Sequence, residues 1–190
     1  MIYLASQSPR RRELLRQLGV DFSILDVDVA EQRAPDEPPE DYVNRVAREK
    51  AGAGLMQVVA VPGAVVIGAD TEVVLDGEVF GKPSDADDAM RMLRKLSGRT
   101  HRVLSAVWCV SASREEHAIS ESLVEFMSID DATIAAYVAS AEPFGKAGAY
   151  AIQGRAAGLI KHLAGSHSAV MGLPLHETAE LLRRFGLTPN

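Results

Sequence analysis

The sequence contains, at residues 64–71, the stretch AVVIGADT, in which apolar and small residues lead directly into Asp70. A near-continuous apolar run is typical of a strand that is buried on both faces, as central strands of α/β sheets are. Ligands of open α/β sheets bind at the carboxyl ends of such strands. The stretch therefore predicts a central strand that ends at Asp70, whose carboxylate could hold a divalent metal or accept a proton from water. An aspartate that merely caps its own loop would give the same pattern.

The N-terminal residues predict a strand, a loop and a basic helix. Ile2–Ala5 is a short apolar strand, and Ser8 followed by Pro9 is the pattern of a helix N-cap and first helical residue. The next three residues are Arg10, Arg11 and Arg12. Unpaired N–H groups at a helix start and nearby guanidinium groups both attract phosphate. The segment is compatible with a polyphosphate site, but the motif alone favours a capped helix with a solvated basic face, because Ser-Pro helix starts and Arg clusters are both common.

The residues between these two segments predict a second strand and a helix. Asp21–Val29 has strand composition with a change of phase near Leu25, which indicates a bulge. Residues 30–39 are rich in proline and acids, including Glu31, and predict an exposed loop. A helix should follow, with Lys50 near its end on the same face as Tyr42 and Val46.

The remainder of the chain alternates further strands and helices. Asp76-Gly77 predicts a hairpin turn between strands within residues 72–80, and Ser84 or Asp85 should cap the next helix. That helix should bury Ala86, Ala89, Met90, Leu93 and Leu96. The further predicted elements are strands over 102–111 and 118–127 forming a hairpin, a helix over 130–137, a strand over 158–163 and a helix over 175–185. The fold class is therefore α/β.

Length, composition and charge exclude several classes of protein. The 190 residues predict one domain, 1–190, or two small lobes sharing a cleft. The composition, 47% hydrophobic and 24% charged, is that of a globular chain. A net charge of −6 disfavours nucleic acid as the main partner. The longest apolar stretch is interrupted by Pro62 and Gly63, and no secretory leader is visible, so we expect no membrane association and a cytoplasmic location.

A glycine-rich segment and the scattered histidines complete the candidate residues. Residues 144–158 hold too many small side chains for an ordinary strand, so this backbone should approach a ligand or another segment closely. Gln153 within it could pair with a base edge, but the sequence alone favours a tight structural crossover. The five histidines lack zinc-ligand spacing, and Cys109 lies in an apolar strand, so each is expected to be structural or exposed.

Seven of these segments, taken in order along the chain, resemble the Maf family of nucleoside triphosphate pyrophosphatases. The matching stretches are 4–15 (LASQSPRRRELL), 48–51 (REKA), 68–71 (GADT), 81–83 (GKP), 96–101 (LSGRTH), 146–154 (KAGAYAIQG) and 165–175 (GSHSAVMGLPL). The resemblance implies an elongated mixed-sheet fold with flanking helices and a central nucleotide-binding cleft, as in Maf and ITPase-like proteins. It also implies hydrolysis of a nucleoside triphosphate to monophosphate and pyrophosphate with Mg²⁺ or Mn²⁺.

The resemblance also assigns roles to individual residues. Asp70 matches the family's proton acceptor and metal ligand, and Glu31 matches a metal-associated acid. Residues matching the phosphate cleft are Ser8, Arg11, Arg12, Lys50 and Lys82. Arg12, Thr71 and Gln153 fall where the branch acting on dTTP and UTP carries its specificity residues. One departure is Gly145, where that branch usually has an acidic residue, which predicts weaker activity or an altered substrate range if the acid orients Lys146.

Two other functions stay open at this point. One is hydrolysis of 7-methyl-GTP or another modified nucleotide, and a substrate panel would separate it from the pyrimidine activity. The other is an interaction module related to cell division, in which the basic first helix docks an acidic partner. A homodimer is the default oligomer for a soluble enzyme of this kind.

Overall fold

A computed structural model describes residues 1–188. Helices and strands occur from Ile2 to Arg184. The elements are β1 (Ile2–Ala5), α1 (Pro9–Gln17), β2 (Phe22–Leu25), α2 (Pro39–Val58), β3 (Val65–Leu75), β4 (Glu78–Phe80), α3 (Ala86–Leu96), β5 (Thr100–Val110), β6 (Glu115–Phe126), α4 (Asp131–Ala139), β7 (Ile160–Ala164), α5 (His167–Met171) and α6 (Leu175–Arg184). Two 3₁₀ turns, Ala147–Ala149 and Arg155–Leu159, lie between α4 and β7.

The strands form one seven-stranded mixed sheet. Their order is β2-β1-β3-β5-β6-β7, with β4 paired to β3. β1 pairs in parallel with both β2 and β3, whereas the β3–β4 and β6–β7 pairs are antiparallel. The prediction of an α/β fold with a mixed sheet and helices is confirmed.

Unit 1 is the first of two compact units into which the chain divides, and it comprises residues 1–71, 105–120 and 172–188. Its core includes Leu4, Leu15, Val46 and Ile67, all fully buried. The predicted helix start is confirmed, because the Ser8 side chain accepts a hydrogen bond from the Arg11 amide and Pro9 is the first helical residue. The helices α1, α2 and α6 belong to this unit.

Unit 2 comprises residues 72–104 and 121–171. Its core is a single cluster that contains Phe80, Leu93, Phe126, Ile134 and Tyr150. The predicted hairpin turn at Asp76-Gly77 is confirmed, since Leu75 pairs with Glu78 and both turn residues have positive φ. Asp85, not Ser84, caps α3 through its bond to the Asp88 amide.

Several predicted boundaries are wrong for reasons of pairing. The strand expected over Asp21–Val29 ends at Leu25 without a bulge, because its partner β1 ends at Ala5, opposite Leu25. The strand expected to end at Asp70 continues to Leu75. Asp70 nevertheless lies beyond Ile67, the last β3 residue that pairs with β1, and so keeps the expected position relative to the carboxyl end of the parallel pairs.

The helix boundaries also depart from the sequence pattern. α2 runs on to Val58, which places Lys50 in its middle and not near its end. In α3, the prediction that Ala86 is buried is wrong. Ala86 is the first residue of the helix and is exposed, whereas Met92, which was not predicted, is buried. The short helix α5 was not predicted. Among the described residues, no helix combines the length and the apolar character needed to cross a bilayer.

Candidate functional site

The carboxylate of Asp70 is the centre of the candidate site in unit 1. Asp70 is 5% exposed, and the neighbouring β3 residues Ile67 and Ala69 are fully buried. Its Oδ1 atom accepts a hydrogen bond from Lys50, whereas Oδ2 is buried and has no hydrogen-bond partner within residues 1–188. A buried acceptor without a partner is costly and suggests that a ligand supplies the missing interaction.

Gly68 explains how α2 reaches Asp70. A Cβ atom at position 68 would lie 2.4 Å from the Ala47 carbonyl oxygen and 2.5 Å from the Ala51 amide nitrogen. Only glycine allows this close backbone approach between a strand and a helix. Lys50 stands between Ala47 and Ala51 on α2, so the contact brings its side chain to the carboxylate two residues after Gly68.

Lys50 joins the two acids that sequence analysis associated with a metal. Its Nζ atom lies 2.6 Å from Glu31 Oε1 and 2.7 Å from Asp70 Oδ1. Lys50 is 8% exposed, and burial of an ammonium group requires such partners. Glu31 belongs to the irregular segment before α2, as predicted, and the lysine links that segment to β3.

Arg11 extends the cationic side of the cluster. Its Nη2 atom is 4.0 Å from Asp70 Oδ1, and its Nε donates to the Gly172 carbonyl oxygen at 2.8 Å. Its Nη1 approaches Ser6 Oγ at 3.5 Å. These backbone and hydroxyl contacts hold the guanidinium plane, so Arg11 is positioned before any substrate arrives.

The other two residues of the predicted phosphate cleft in unit 1 are Ser8 and Arg12. The Ser8 hydroxyl is used as the helix cap and is half-buried. Arg12 donates through Nη2 to the Gln7 carbonyl oxygen at 3.1 Å, and its Nε is buried without a partner in the described part of the chain. The neighbouring Arg10 has its pKa lowered by burial and by the charge of Arg11. The start of α1 is therefore strongly cationic.

Thr71 is fixed by a residue that sequence analysis did not select. Its Oγ1 lies 2.7 Å from the hydroxyl of Ser105, which is fully buried on β5 and also donates to the Asp70 carbonyl oxygen at 3.4 Å. Ser105 interrupts the apolar run VLSAV, and that single polar residue was the available signal. It holds the backbone and side chain next to the catalytic candidate.

The donor set of Asp70 and Glu31 fits a divalent cation that is shared with phosphates. Mg²⁺ is commonly bound by one or two carboxylates together with substrate phosphate oxygens. The Oδ2 atom of Asp70 is a hard oxygen donor with no partner among the described residues. No cluster of three or more His, Cys, Asp or Glu side chains suited to a metal occurs in residues 1–188, so a fully protein-built cage is not present there.

The two remaining predicted residues, Lys82 and Gln153, belong to unit 2. Both side chains are exposed, and Lys82 stands between β4 and α3 as the Gly-Lys-Pro pattern indicated. Gln153 lies between the two 3₁₀ turns of the glycine-rich segment. Their participation in the same site as Asp70 stays a prediction.

The segment that carries Gln153 is held by Glu142. Its carboxylate accepts hydrogen bonds from the Arg155 amide at 3.1 Å and from the Tyr137 hydroxyl at 2.8 Å. A Cβ at Gly154 would lie 2.4 Å from the same carboxylate, which accounts for the glycine. Burial raises the pKa of Glu142, but these hydrogen bonds outweigh burial and leave the pKa lowered overall.

The Maf-like protein model matches residues 1–185 of this chain, almost its whole length. The chain belongs to the Maf-like protein family. The expected membership is thereby confirmed, and the match includes every predicted site residue.

Several relatives of this Maf-like chain are similar over nearly their full length. A protein of Xanthomonas axonopodis pv. citri (strain 306) named dTTP/UTP pyrophosphatase is 61% identical over 188 residues, covering 98% of this chain and 99% of that protein. One of Ralstonia nicotianae (strain ATCC BAA-1114 / GMI1000) with the same name is 52% identical, covering 98% and 95%. A nucleoside triphosphate pyrophosphatase of Xylella fastidiosa (strain 9a5c) is 52% identical, covering 97% and 98%.

Lys146 of this Maf-like chain is oriented even though residue 145 is glycine. Lys146 Nζ donates to the carbonyl oxygens of Glu142, at 2.5 Å, and Phe144, at 3.4 Å. Gly145 has φ +71°, a left-handed conformation that glycine adopts without strain. Backbone carbonyls thus hold the lysine, and its position does not depend on an acidic side chain at residue 145.

Proposed function

We propose that this Maf-like chain hydrolyses dTTP and UTP to the nucleoside monophosphate and pyrophosphate. The observation that carries the proposal is the buried Asp70 carboxylate, with one oxygen held by Lys50 and the other without a partner in residues 1–188. Full-length similarity to proteins named dTTP/UTP pyrophosphatase supports the choice of substrates. A carboxylate that is free on one oxygen and fixed on the other suits a general base.

In the proposed reaction a water oxygen attacks the α-phosphorus in line with the bridging oxygen. Asp70 Oδ2 accepts the water proton while a new P–O bond forms. The bond between the α-phosphorus and the bridging oxygen breaks, and the pyrophosphate leaves with the bonding electron pair. No covalent enzyme intermediate is needed. Cys109 fits this mechanism, because burial, with a smaller effect from Glu116, raises the pKa of its thiol to about 12.

The basic residues would stabilise the negative charge that develops on the pyrophosphate. Arg11 is already oriented by the Gly172 carbonyl, and the Arg12 Nε has a donor to offer. Lys50 and Lys82 are the lysines proposed to contact phosphates. Charge stabilisation by positioned donors is the main contribution that proteins make to phosphoryl transfer.

Asp70 and Glu31 would hold the divalent cation, Mg²⁺ or Mn²⁺, that the family resemblance implies. Bound there, such a cation supplies Lewis-acid stabilisation of phosphate oxygens. Glu31 also keeps the ammonium of Lys50 near Asp70. The chain's own contribution is to keep the carboxylates and cations in place before substrate binds.

We assign base selection to Gln153, and we propose that Thr71 and Arg12 contribute to specificity by restricting the space near the nucleotide. An amide offers a donor and an acceptor that complement the N3–H and O4 groups of thymine or uracil. A purine carrying a methyl group and a positive charge at N7 would leave those groups unpaired. Unpaired buried polar groups discriminate more strongly than a missing methyl group does.

A competing-substrate assay tests the proposal. Pyrophosphate release from dTTP, UTP, 7-methyl-GTP and ATP is measured with the full chain and Mg²⁺ or Mn²⁺. We expect kcat/KM for dTTP and UTP to exceed that for the purine nucleotides. Gln153→Ala should lower the ratio of pyrimidine to purine kcat/KM about tenfold, because activity on dTTP and UTP is lost. Gln17→Ala, an exposed change on α1, is the control. Preference for 7-methyl-GTP would identify the alternative branch.

The remaining proposals concern partners. We propose a homodimer with nucleoside triphosphate as its ligand, in the cytoplasm, and without nucleic acid as a main partner. Sedimentation tests the dimer. Binding to DNA or RNA that falls steeply with salt, in a chain that releases no pyrophosphate, would favour an interaction module over an enzyme.

A further inference from the structure

The ammonium of Lys50 occupies the centre of the acidic pair in unit 1. Its distances to Glu31 Oε1 and Asp70 Oδ1 are 2.6 Å and 2.7 Å, those of charge-assisted hydrogen bonds. Lys50 lies in the middle of α2. The close backbone contact between Gly68 and α2 fixes the position of this part of the helix relative to β3. The two acids are thus bridged by a cation that belongs to the chain itself.

This arrangement places a lysine and a divalent cation in competition. The three groups together carry one net negative charge instead of two, and the Arg11 guanidinium at 4.0 Å from Asp70 reduces it further. A second cation entering the same carboxylate pair would meet the ammonium at close range. The side chains of Lys50 and Asp70 are 10% and 7% exposed, so screening by water is weak beside them and repulsion between cations there is strong.

We propose that Lys50 is a resident counter-ion of the Glu31–Asp70 pair, which competes with the divalent cation until a nucleotide triphosphate takes over its ammonium group. The inference rests on the proposed function, since it needs a metal-assisted nucleotide site. A triphosphate offers Lys50 alternative oxygen partners. The oxygens that Lys50 releases, Asp70 Oδ1 and Glu31 Oε1, then bind the metal, and Asp70 Oδ2 stays available to accept the proton of the attacking water.

The proposal makes metal binding and nucleotide binding cooperative. A nucleotide that draws Lys50 away raises the affinity for the metal, and by linkage the metal raises the affinity for the nucleotide by the same factor. The free protein therefore binds the metal weakly. Lys50 is here a positioning residue for the carboxylates as well as a phosphate contact.

Titration of the full chain with Mn²⁺ alone, followed by the EPR signal of the free ion, tests this directly. Lys50→Met keeps the length of the side chain and removes the charge. Its Mn²⁺ dissociation constant should be at least about tenfold lower than that of the parent. Lys161→Met, an exposed lysine paired with Glu125 in unit 2, is the control and should leave the constant unchanged.

A second titration includes a non-hydrolysable dTTP analogue, with correction for Mn²⁺ bound by the analogue itself. The analogue should tighten Mn²⁺ binding about tenfold or more in the parent and much less in Lys50→Met. Equal or weaker Mn²⁺ binding by the variant in the absence of nucleotide would overturn the proposal. Pyrophosphate release from dTTP by the parent is measured separately, so loss of the competition and loss of the enzymatic function are distinguishable.

The fold of the variants is checked by circular dichroism. Lys50→Gln, which keeps hydrogen-bonding groups without charge, is the second variant and should also bind Mn²⁺ more tightly than the parent. If both variants are unfolded without metal, Mn²⁺ should restore their helical signal, because it replaces the missing counter-ion. Failure of Mn²⁺ to do so would count against the competition.

Discussion

Lys50 and Asp70 in unit 1 and the aromatic cluster around His101 in unit 2 are both buried polar groups, but they differ in electrostatic state. Lys50, Glu31 and Asp70 are charged and paired at 2.6–2.7 Å. His101 is 1% exposed and shares a 2.9 Å hydrogen bond with the Tyr150 hydroxyl. Burial lowers the pKa of His101 to about 4, so the ring is neutral at pH 7.

The surroundings of His101 are those of a structural histidine. Its ring packs edge-to-face against Phe126 and Tyr150, with centroids 5.1 Å and 5.5 Å away. Burial, and to a smaller degree the neighbouring Tyr137, raises the pKa of Tyr150. Neutral rings are buried at low cost, whereas buried charges are costly and are retained where they have a chemical use. The charged cluster in unit 1 therefore remains the candidate for chemistry, whereas the cluster around His101 serves packing.

The largest expected effect comes from neutralising Asp70. Asp70→Asn keeps the shape and removes the charge, so pyrophosphate release should fall by about 10²–10⁴-fold while the thermal midpoint changes little. Asp76→Asn, in the exposed turn where Asp76 pairs with Arg99 at 2.7 Å, is the matched control. Near-full activity of Asp70→Asn with added Mg²⁺ would show that Asp70 has no catalytic role. The charged cluster would then be structural, as the cluster around His101 is.

The close backbone contact beneath Lys50 can be broken separately. Gly68→Ala introduces a Cβ 2.4 Å from the Ala47 carbonyl, so β3 and α2 must separate. We expect a loss of about 3 kcal/mol in unfolding free energy, the upper range for overpacking, together with a lower kcat. Chemical denaturation and pyrophosphate release measure the two effects.

Gly52→Ala is the control for this helix. Apart from residues 51–53 and the nearby backbone of α2 itself, no described atom lies within 4 Å of the added Cβ, so the substitution should stabilise α2 by up to about 1 kcal/mol. Equal stability of Gly68→Ala and Gly52→Ala would show that Lys50 does not depend on this contact for its position.

The candidate residues of the site in unit 1 could be predicted from the sequence, but the contacts between them could not. Ser8 and Pro9 were local signals and their positions were confirmed. Asp70 was placed correctly relative to β1. The continuation of β3 beyond Asp70 was not predicted, because it depends on pairing with a later strand, β4. The Lys50–Glu31 contact joins residues 19 positions apart through an irregular loop, and no periodic pattern encodes it. Ser105 escaped because its partner Thr71 is 34 residues away.

The dependence of unfolding free energy on pH tests whether His101 is buried in its neutral form. The folded-state pKa of His101, about 4, lies below the ordinary value of 6.5. The unfolded chain therefore binds the proton first as pH falls, and stability is lost between pH 6.5 and pH 4. This histidine should account for about 2 kcal/mol between pH 7 and pH 5.

Urea unfolding at the two pH values measures the change. His101→Gln should be less stable than the parent at pH 7 and should lack that part of the pH dependence. His162→Gln, an exposed position on β7, serves as the control and should retain the parent's slope. The same pH dependence in His101→Gln and the parent would mean that the buried ring is not the group that titrates.

The smallest effect is expected at Arg12 and Lys82, the side chains proposed to bind phosphate, because they are more exposed than Asp70. Arg12→Ala and Lys82→Ala should each lower kcat/KM by about tenfold, as expected for one charge-assisted contact of about 1.5 kcal/mol. Arg16→Ala, on the same helix as Arg12 but with a side chain 65% exposed, should change nothing.

Arg12 is the more informative of the two, because its Nε is buried and has no acceptor among residues 1–188. A guanidinium that has lost water at one donor without gaining a protein partner costs stability, and a phosphate oxygen would recover that cost only in the complex. Arg12→Ala should therefore raise the dissociation constant for the dTTP analogue while leaving unfolding free energy unchanged or slightly higher. A variant that is less stable but binds the analogue normally would place Arg12 with His101 among the residues that maintain the fold.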